Sequence, residues 1–331
     1  MQRCLQLAQL GAGSVSPNPM VGAILVHDGR IIGEGYHQQY GQAHAEVNCT
    51  ADVKEADLAL ISESTLYVSL EPCSHFGKTP PCVDLIIVKK IPRVVIGCKD
   101  PFHAVDGKGI AKLRDAGIEV MTGILEKESI ELNKRFFTFH QKKHPYIILK
   151  WAQTVDKKIA SDDDDERLLI SNEMTNSLVH KWRSEEDAVM VGSNTALKDD
   201  PALTTRLWPG KNPVRVIIGS KDKLPGTLKL FDGSAQTLVF DEEQNKDQLP
   251  KIMTALYEQN IQSILVEGGA KLLQSFIDQH LWDEARVITN TSLTVGNGLD
   301  APLLNASQLT HSENVETDRI DYYLPHQFHT L

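Results

Sequence analysis

The sequence predicts two successive α/β domains, and three observations carry that reading. Its 331 residues are about twice the roughly 150 of a typical domain. Short β-type apolar runs alternate with helix-period segments in both halves of the chain. Between the halves, the basic stretch His140-Gln-Lys-Lys-His144 ends at Pro145, and a new strand-like run begins at Tyr146. The boundary is therefore placed after residue 144, giving segments 1–144 and 145–331.

In the first segment, residues 21–26 and 31–36 are apolar-rich runs separated by Asp28-Gly29, a pair that tolerates the positive φ angles of a tight hairpin. Residues 65–70 and 93–97 read as strands. The helical pattern at 82–90 lies between them, its first turn preceded by Pro80-Pro81. Strand, helix, strand implies a parallel pair. A further helical pattern covers 126–137. The second segment alternates again: strand 146–149, helix 171–185, strands 188–192, 214–219 and 237–240, helix 249–260 and strand 263–266. There is no internal repeat, and the acidic run 162–166 reads as a solvated loop.

Composition narrows the function. Apolar residues make up 41% of the chain before its 22 glycines are added, the proportion of a soluble folded protein. The longest apolar stretch, residues 20–26 with Gly22 counted, falls far short of the roughly 20 residues that span a bilayer. The start, Met1-Gln-Arg-Cys-Leu5, has no secretory pattern, so a cytoplasmic protein with no membrane partner is expected. Lys plus Arg number 34 against 44 acidic residues, a net charge of -10, which argues against nucleic acid as a partner. All five cysteines (4, 49, 73, 82, 98) lie in the first hundred residues, a clustering that in a cytoplasmic chain points to metal or catalysis before disulfides.

His44-Ala45-Glu46 opens a helical pattern, Glu71-Pro72-Cys73 follows a strand, and Cys82 starts the next helix. One imidazole and two thiolates form an accepted catalytic zinc set that leaves a fourth position open. Glu46 then sits beside the metal without binding it, as in the zinc-deaminase pattern His-x-Glu…Pro-Cys…Cys. That pattern has two residues between its cysteines, whereas residues 74–81 intervene here, an enlarged loop that can contact substrate. A closed structural zinc is the alternative, with His75 or Cys98 as the fourth ligand. Cys4 and Cys49 read as small apolar core groups.

Ser16-Pro-Asn-Pro-Met-Val-Gly22, His44-Ala-Glu46 and the run from Glu71 to Cys82 closely resemble the deaminase half of the bifunctional riboflavin-biosynthesis deaminase/reductase family, in which that loop is enlarged. The resemblance implies a cytidine-deaminase-like three-layer domain with zinc on His44, Cys73 and Cys82. It also implies Glu46 as proton shuttle and substrate contacts from Asn18, Ala45, His75, Lys78 and Asp100. Phe102 stands where many members have asparagine. In such a site zinc makes water nucleophilic near neutral pH, and Glu46 passes its proton to the departing nitrogen.

The second half lacks GxGxxG, but Val266-Glu-Gly-Gly-Ala270 lies between a strand and a helix, where small residues let backbone N–H groups approach a phosphate. Leu149-Lys-Trp-Ala152, Asp156, Arg183, Asp187 to Gly192, Asp199 to Leu203, Arg206, Pro213-Val-Arg215 and Val266 to Gly269 resemble the reductase half of the same family, which implies a dihydrofolate-reductase-like α/β domain. The resemblance implies NADPH contacts from Ala152, Thr195, Asp199, Ser220, Gly269, Ala270, Lys271, Leu272, Leu273, Gln274 and Ser275. Substrate contacts would be Lys150, Arg183, Leu203, Arg206 and Glu267. The two arginines suit a sugar phosphate, since each presents paired donors, and Lys150 and Glu267 would orient the ribose and move its proton.

Two positions depart from the family pattern. Lys157 replaces a glycine, which an ordinary backbone angle or a cofactor phosphate near its charge would accommodate. Leu169 replaces a tryptophan while keeping apolar area against a ring. Together these features predict a zinc- and NADPH-dependent enzyme acting on a small phosphoribosylated pyrimidine, as a homo-oligomer. The alternatives are a single-activity zinc deaminase of a nucleoside or tRNA base with a structural second domain, and a zinc-stabilised binding protein.

Overall fold

The computed structural model describes residues 1–162, 168–241 and 248–326; residues 163–166 of the acidic run lie outside the described residues. The chain divides into two compact units, Met1–Lys143 and His144–Leu331.

The first unit is built on β1 (Gly22–His27), β2 (Arg30–Tyr36), β3 (Thr65–Leu70), β4 (Arg93–Cys98) and β5 (Glu119–Thr122), ordered β2-β1-β3-β4-β5 across one sheet. The turn between β1 and β2 has Asp28 at φ 45° and Gly29 at φ 77°, the left-handed pair that a two-residue hairpin requires. β1 is antiparallel to β2 and β3, while β3, β4 and β5 run parallel. Helices α1 (Gln2–Gln9), α2 (Ala45–Ala51), α3 (Cys82–Val88), α4 (Lys108–Asp115), α5 (Glu126–Leu132) and α6 (Lys134–Lys142) accompany the sheet.

Leu25, Leu66, Val68, Val94 and Ile96 form one core with Ala45 and Cys49 of α2 and Val83 and Ile86 of α3. Burying this apolar surface holds both helices against the sheet. Backbone contact is especially close at Gly35, where a Cβ would fall 2.2 Å from the Cys49 amide nitrogen. Only glycine in β2 lets α2 lie there, which fixes the direction of His44 and Glu46.

The expected helix over 126–137 is two helices. Asn133 breaks it because its buried side chain pairs with Met20, accepting from the Met20 N–H at 2.8 Å and donating to the Met20 carbonyl at 2.9 Å. The second of the two, α6, continues through Lys142, past the expected end at 137.

The second unit contains β6 (Tyr146–Gln153), β7 (Lys158–Ser161), α7 (Glu173–Glu185), β8 (Ala188–Gly192), α8 (Ser193–Asp199), β9 (Val214–Ile218), β10 (Thr237–Phe240), α9 (Gln248–Glu258), β11 (Ser263–Val266) and α10 (Ala270–Asp278). It continues with β12 (Glu284–Asn290), β13 (Gly298–Asp300), β14 (Ser307–Val315) and β15 (Asp318–Pro325). Its main sheet has the order β10-β9-β8-β11-β6-β12-β15-β14. It is parallel from β10 to β12 and antiparallel at β12/β15 and β15/β14. Cores cover both sheet faces: Ile147, Leu149, Met190 and Ile264 pack on one side, and Ile148, Val189, Val191 and Leu265 on the other. Such two-sided burial explains the near-continuous apolar runs of these strands.

α7 is capped by Asn172, whose side chain accepts the Thr175 N–H at 2.8 Å, so the helix starts at Glu173, two residues later than expected. Lys157 has φ 60°, so of the two accommodations offered for it the ordinary backbone angle is not the one used: the turn from β6 to β7 keeps a glycine-type conformation, held by the Lys157 N–H on the Thr154 carbonyl at 2.9 Å.

Candidate active sites

In the first unit, His44 immediately precedes α2, Cys73 lies beyond the end of β3, and Cys82 is the first residue of α3. Their donor atoms all fall within 4.8 Å of one another. The His44 Nδ1 is 3.6 Å from the Cys73 Sγ and 3.3 Å from the Cys82 Sγ. A tetrahedral zinc with Zn–N of about 2.0 Å and Zn–S of about 2.3 Å places N and S about 3.5 Å apart, so the donors present fit that ion.

The Cys82 N–H points at the Cys73 Sγ from 3.3 Å. The Cys82 thiol and His44, both hydrogen-bonded to Cys73, outweigh its burial and hold it down to about 4, in the range where a thiol is a ready ligand. Cys98, raised above as a fourth ligand, is buried and donates to the Ser69 carbonyl at 3.6 Å, and His75 is exposed. Neither belongs to the donor group found among the described residues, so a fourth position stays open, the arrangement of a catalytic zinc.

Glu46, 3% exposed, lies in the first turn of α2. Burial, reinforced by Cys73, pushes its carboxyl up, the direction that suits a group which takes and returns a proton near neutral pH. Asn18 is oriented by His37, a residue the sequence reading missed although it lies seven positions before His44. His37 donates through Nδ1 to the Ala43 carbonyl at 3.0 Å. Burial lowers its pKa, and the neutral ring accepts at Nε2 from the Asn18 amide nitrogen at 3.1 Å. The Asn18 oxygen is thereby the end turned away from His37.

Ala45, next to His44 at the start of α2, is fully buried. His75 and Lys78 are exposed on the enlarged loop, the Lys78 ammonium lying 3.9 Å above the Tyr40 ring. Asp100 is 7% exposed, and burial pushes it up to about 7. Phe102 packs edge-on to His75 (5.9 Å) and His103 (4.7 Å) and tilted on His140 (5.0 Å), so an aromatic wall stands where a hydrogen-bonding asparagine was expected.

In the second unit a cleft of about 810 Å³ falls in the range of ligand sites, about 300–1,000 Å³. Lys150, Ala152, Thr195, Asp199, Glu267, Gly269, Ala270, Lys271, Leu272, Leu273 and Ser275 all line it, as does Leu169, which is 77% exposed. Asn176, Asn194 and Lys198 also line it, and no local sequence signal marked them. The glycine pair is required by geometry. A Cβ on Gly268 would meet Val191 at 2.8 Å, and Gly269, at φ 62°, starts α10, whose N-terminal residues face the cleft.

Ser220 and Gln274 lie outside this lining; the Gln274 side chain binds Asp278 and the Leu303 N–H instead. Leu203 is also outside it, buried in the core. Arg206 is exposed. Arg183, expected to grip a sugar phosphate, directs its paired donors at Glu267, with contacts of 2.6 and 2.8 Å. Its Nη1 reaches the Thr204 carbonyl at 3.2 Å. Lys150 stands 3.8 Å from the same carboxylate. Burial opposes the charge of Glu267, but Arg183 and Lys150 outweigh it and hold the carboxyl at about 2.

A three-ligand zinc site beside a buried glutamate, and a parallel-sheet unit with a glycine-lined cleft, define the class: a two-domain deaminase/reductase. The first region, residues 1–98, matches the cytidine and deoxycytidylate deaminase zinc-binding region, and residues 145–320 match the RibD C-terminal domain. The chain is 38% identical to the riboflavin biosynthesis protein RibD of Aquifex aeolicus over 97% of its length and 94% of that protein. It is 35% identical to that of Escherichia coli, covering 86% and 84%. The crystal structure of a Thermotoga maritima diaminohydroxyphosphoribosylaminopyrimidine deaminase/5-amino-6-(5-phosphoribosylamino)uracil reductase superposes with a TM-score of 0.89 at 38% identity, covering 98% of this chain and 97% of that one. A form of Acinetobacter baumannii RibD gives 0.88 at 30% identity, covering 98% of each. The chain belongs to the RibD family of bifunctional riboflavin-biosynthesis enzymes. It is a zinc-dependent deaminase joined to an NADPH-dependent reductase, and both expected folds hold.

Proposed function

We propose that residues 1–144 deaminate 2,5-diamino-6-(phosphoribosylamino)pyrimidin-4-one, and that residues 145–331 then reduce the ribose of the product to ribityl, giving 5-amino-6-(phosphoribitylamino)uracil. The observation that carries the first half is the convergence of His44, Cys73 and Cys82 with buried Glu46 alongside. Bound there, zinc supplies a Lewis acid that brings the pKa of its water toward neutrality. Glu46 accepts the proton of the attacking water and delivers it to the departing amino nitrogen. The oriented Asn18 oxygen accepts from a ring amino group, Asp100 borders the pyrimidine, and His75 and Lys78 meet the phosphate.

In the second unit, NADPH supplies the hydride for the ribose C1 carbon. Ala152, Thr195, Asp199 and residues 269–275 would hold the cofactor, with Gln274 contributing through α10 rather than through its side chain. Glu267 orients the ribose beside Lys150, and Lys150 moves its proton. Arg183 acts through Glu267, keeping it ionised, which leaves Arg206 as the phosphate partner. No helix among the described residues is long and apolar enough to cross a membrane. The reading is of a cytoplasmic homo-oligomer that binds no nucleic acid.

Incubating the zinc-loaded protein with the diaminopyrimidine and NADPH tests both halves. Ammonia release followed by loss of nicotinamide absorbance is expected. Ammonia without nicotinamide oxidation would instead assign the chain a single deaminase activity with a structural partner domain.

A further inference from the structure

The enlarged loop between Cys73 and Cys82 has little internal bonding to hold it. Its described backbone pairing is the Gly77 N–H on the Thr79 carbonyl at 3.3 Å. Lys78 stands on this loop, exposed, and has no carboxylate partner among the described residues. What it has is the face of Tyr40, 3.9 Å from the ammonium to the ring centre, well inside the roughly 6 Å of a cation–π contact.

Tyr40, by contrast, is anchored. Its N–H donates to the Ser14 carbonyl at 3.1 Å. The segment around it is closed by Gln42 on Gln39, through backbone at 3.0 Å and side chains at 3.0 Å. Four residues later the same segment delivers His44. The ring therefore ties the Lys78 part of the loop, whose His75 packs separately on Phe102, to the segment that carries a zinc ligand. A carboxylate in its place would hold the lysine equally well but would neutralise it and compete with an incoming anion. An aromatic face restrains the ammonium through its quadrupole and leaves the full positive charge available.

We infer that Tyr40 is a positioning residue for phosphate recognition in the deaminase half, holding the Lys78 ammonium, still charged, where the substrate's phosphate monoester arrives. This rests on the reading above that Lys78 meets that phosphate.

The test is steady-state deamination by the full-length, zinc-loaded protein, on the phosphorylated substrate and on its dephosphorylated counterpart. Tyr40→Leu is expected to raise KM for the phosphorylated compound roughly two- to fivefold, with kcat and the KM of the dephosphorylated compound unchanged. Tyr40→Phe, which keeps the ring, restores the original KM. Equal rises for both compounds, equal effects of Leu and Phe, or no effect of Leu would overturn the proposal. Lys78→Met separates the two layers of the argument. If it leaves the preference for the phosphorylated compound intact, the reading of Lys78 fails and the proposal with it. If it abolishes that preference while Tyr40→Leu does not alter it, Lys78 keeps its role and the inference about Tyr40 alone is wrong.

Discussion

Replacing Arg183 by methionine probes the reductase site through stability as well as activity. The change removes the two short contacts to Glu267, at 2.6 and 2.8 Å. Lys150, at 3.8 Å, is then the nearest remaining cation of the trio. Glu267 is held at about 2 in the folded protein against an ordinary 4.5. That difference corresponds to about 3 kcal/mol of stability at neutral pH, and removing one partner of a buried ion pair costs about 3–5 kcal/mol by an independent route.

The sign is that of a depressed carboxylate. This contribution is complete above pH 4.5, is lost as pH falls toward 2 in the native protein, and is largely missing at every pH in the variant. All four tryptophans, at 151, 182, 208 and 282, lie in the second unit, so tryptophan fluorescence during urea unfolding at pH 7 reads that unit alone. A loss of about 3 kcal/mol is expected, largely recovered when Glu267→Met is added, with reductase activity absent in both proteins. A loss below about 1 kcal/mol in the single variant, or no recovery in the double, would refute the claim that Arg183 serves Glu267.

Lys157→Gly relieves a left-handed φ of 60° and is expected to stabilise the second unit by up to about 1 kcal/mol in the same fluorescence experiment; a destabilisation would show that the lysine stem has replaced the strain with contacts. Gly268→Ala places a methyl 2.8 Å from Val191 and should cost about 1–3 kcal/mol together with NADPH oxidation, and full activity would remove the argument from close approach. Separate expression of residues 1–144 and 145–331 should give two cooperative melts, with zinc and ammonia release confined to the first piece. A piece that fails to melt cooperatively would place the boundary elsewhere.

The deaminase site was legible because its chemistry is local in sequence. His44 and Glu46 share one turn, and Cys73 and Cys82 bracket one loop, so residue type and spacing suffice. The pairing of Arg183 with Glu267 was not legible, since the two are 84 positions apart and each alone looks like a phosphate or proton-transfer residue. The same distance effect hid the break at Asn133, whose periodicity is helical but whose amide pairs with Met20, 113 residues away. β14 escaped because its Ser-Gln-Leu-Thr-His-Ser-Glu-Asn-Val sequence is exposed along nearly its whole length. An edge strand that buries neither face has no reason to alternate. The other core strands that the sequence marked kept their apolar runs and were read within a residue or two, apart from β6, which extends to Gln153; β12, buried over Glu284–Ile288, went unread because Glu284 and Arg286 interrupt its apolar run.

The central claim is that Glu46 moves the proton at a zinc centre built from His44, Cys73 and Cys82. Glu46→Gln preserves the shape of the side chain and the three donors while removing the group that accepts a proton. Measured on one preparation, zinc content should remain one ion per chain, and ammonia release should fall by about a hundredfold to ten-thousandfold. NADPH oxidation with the deaminated substrate should stay at the level of the unmodified protein. Unchanged ammonia release at full zinc occupancy would contradict the account.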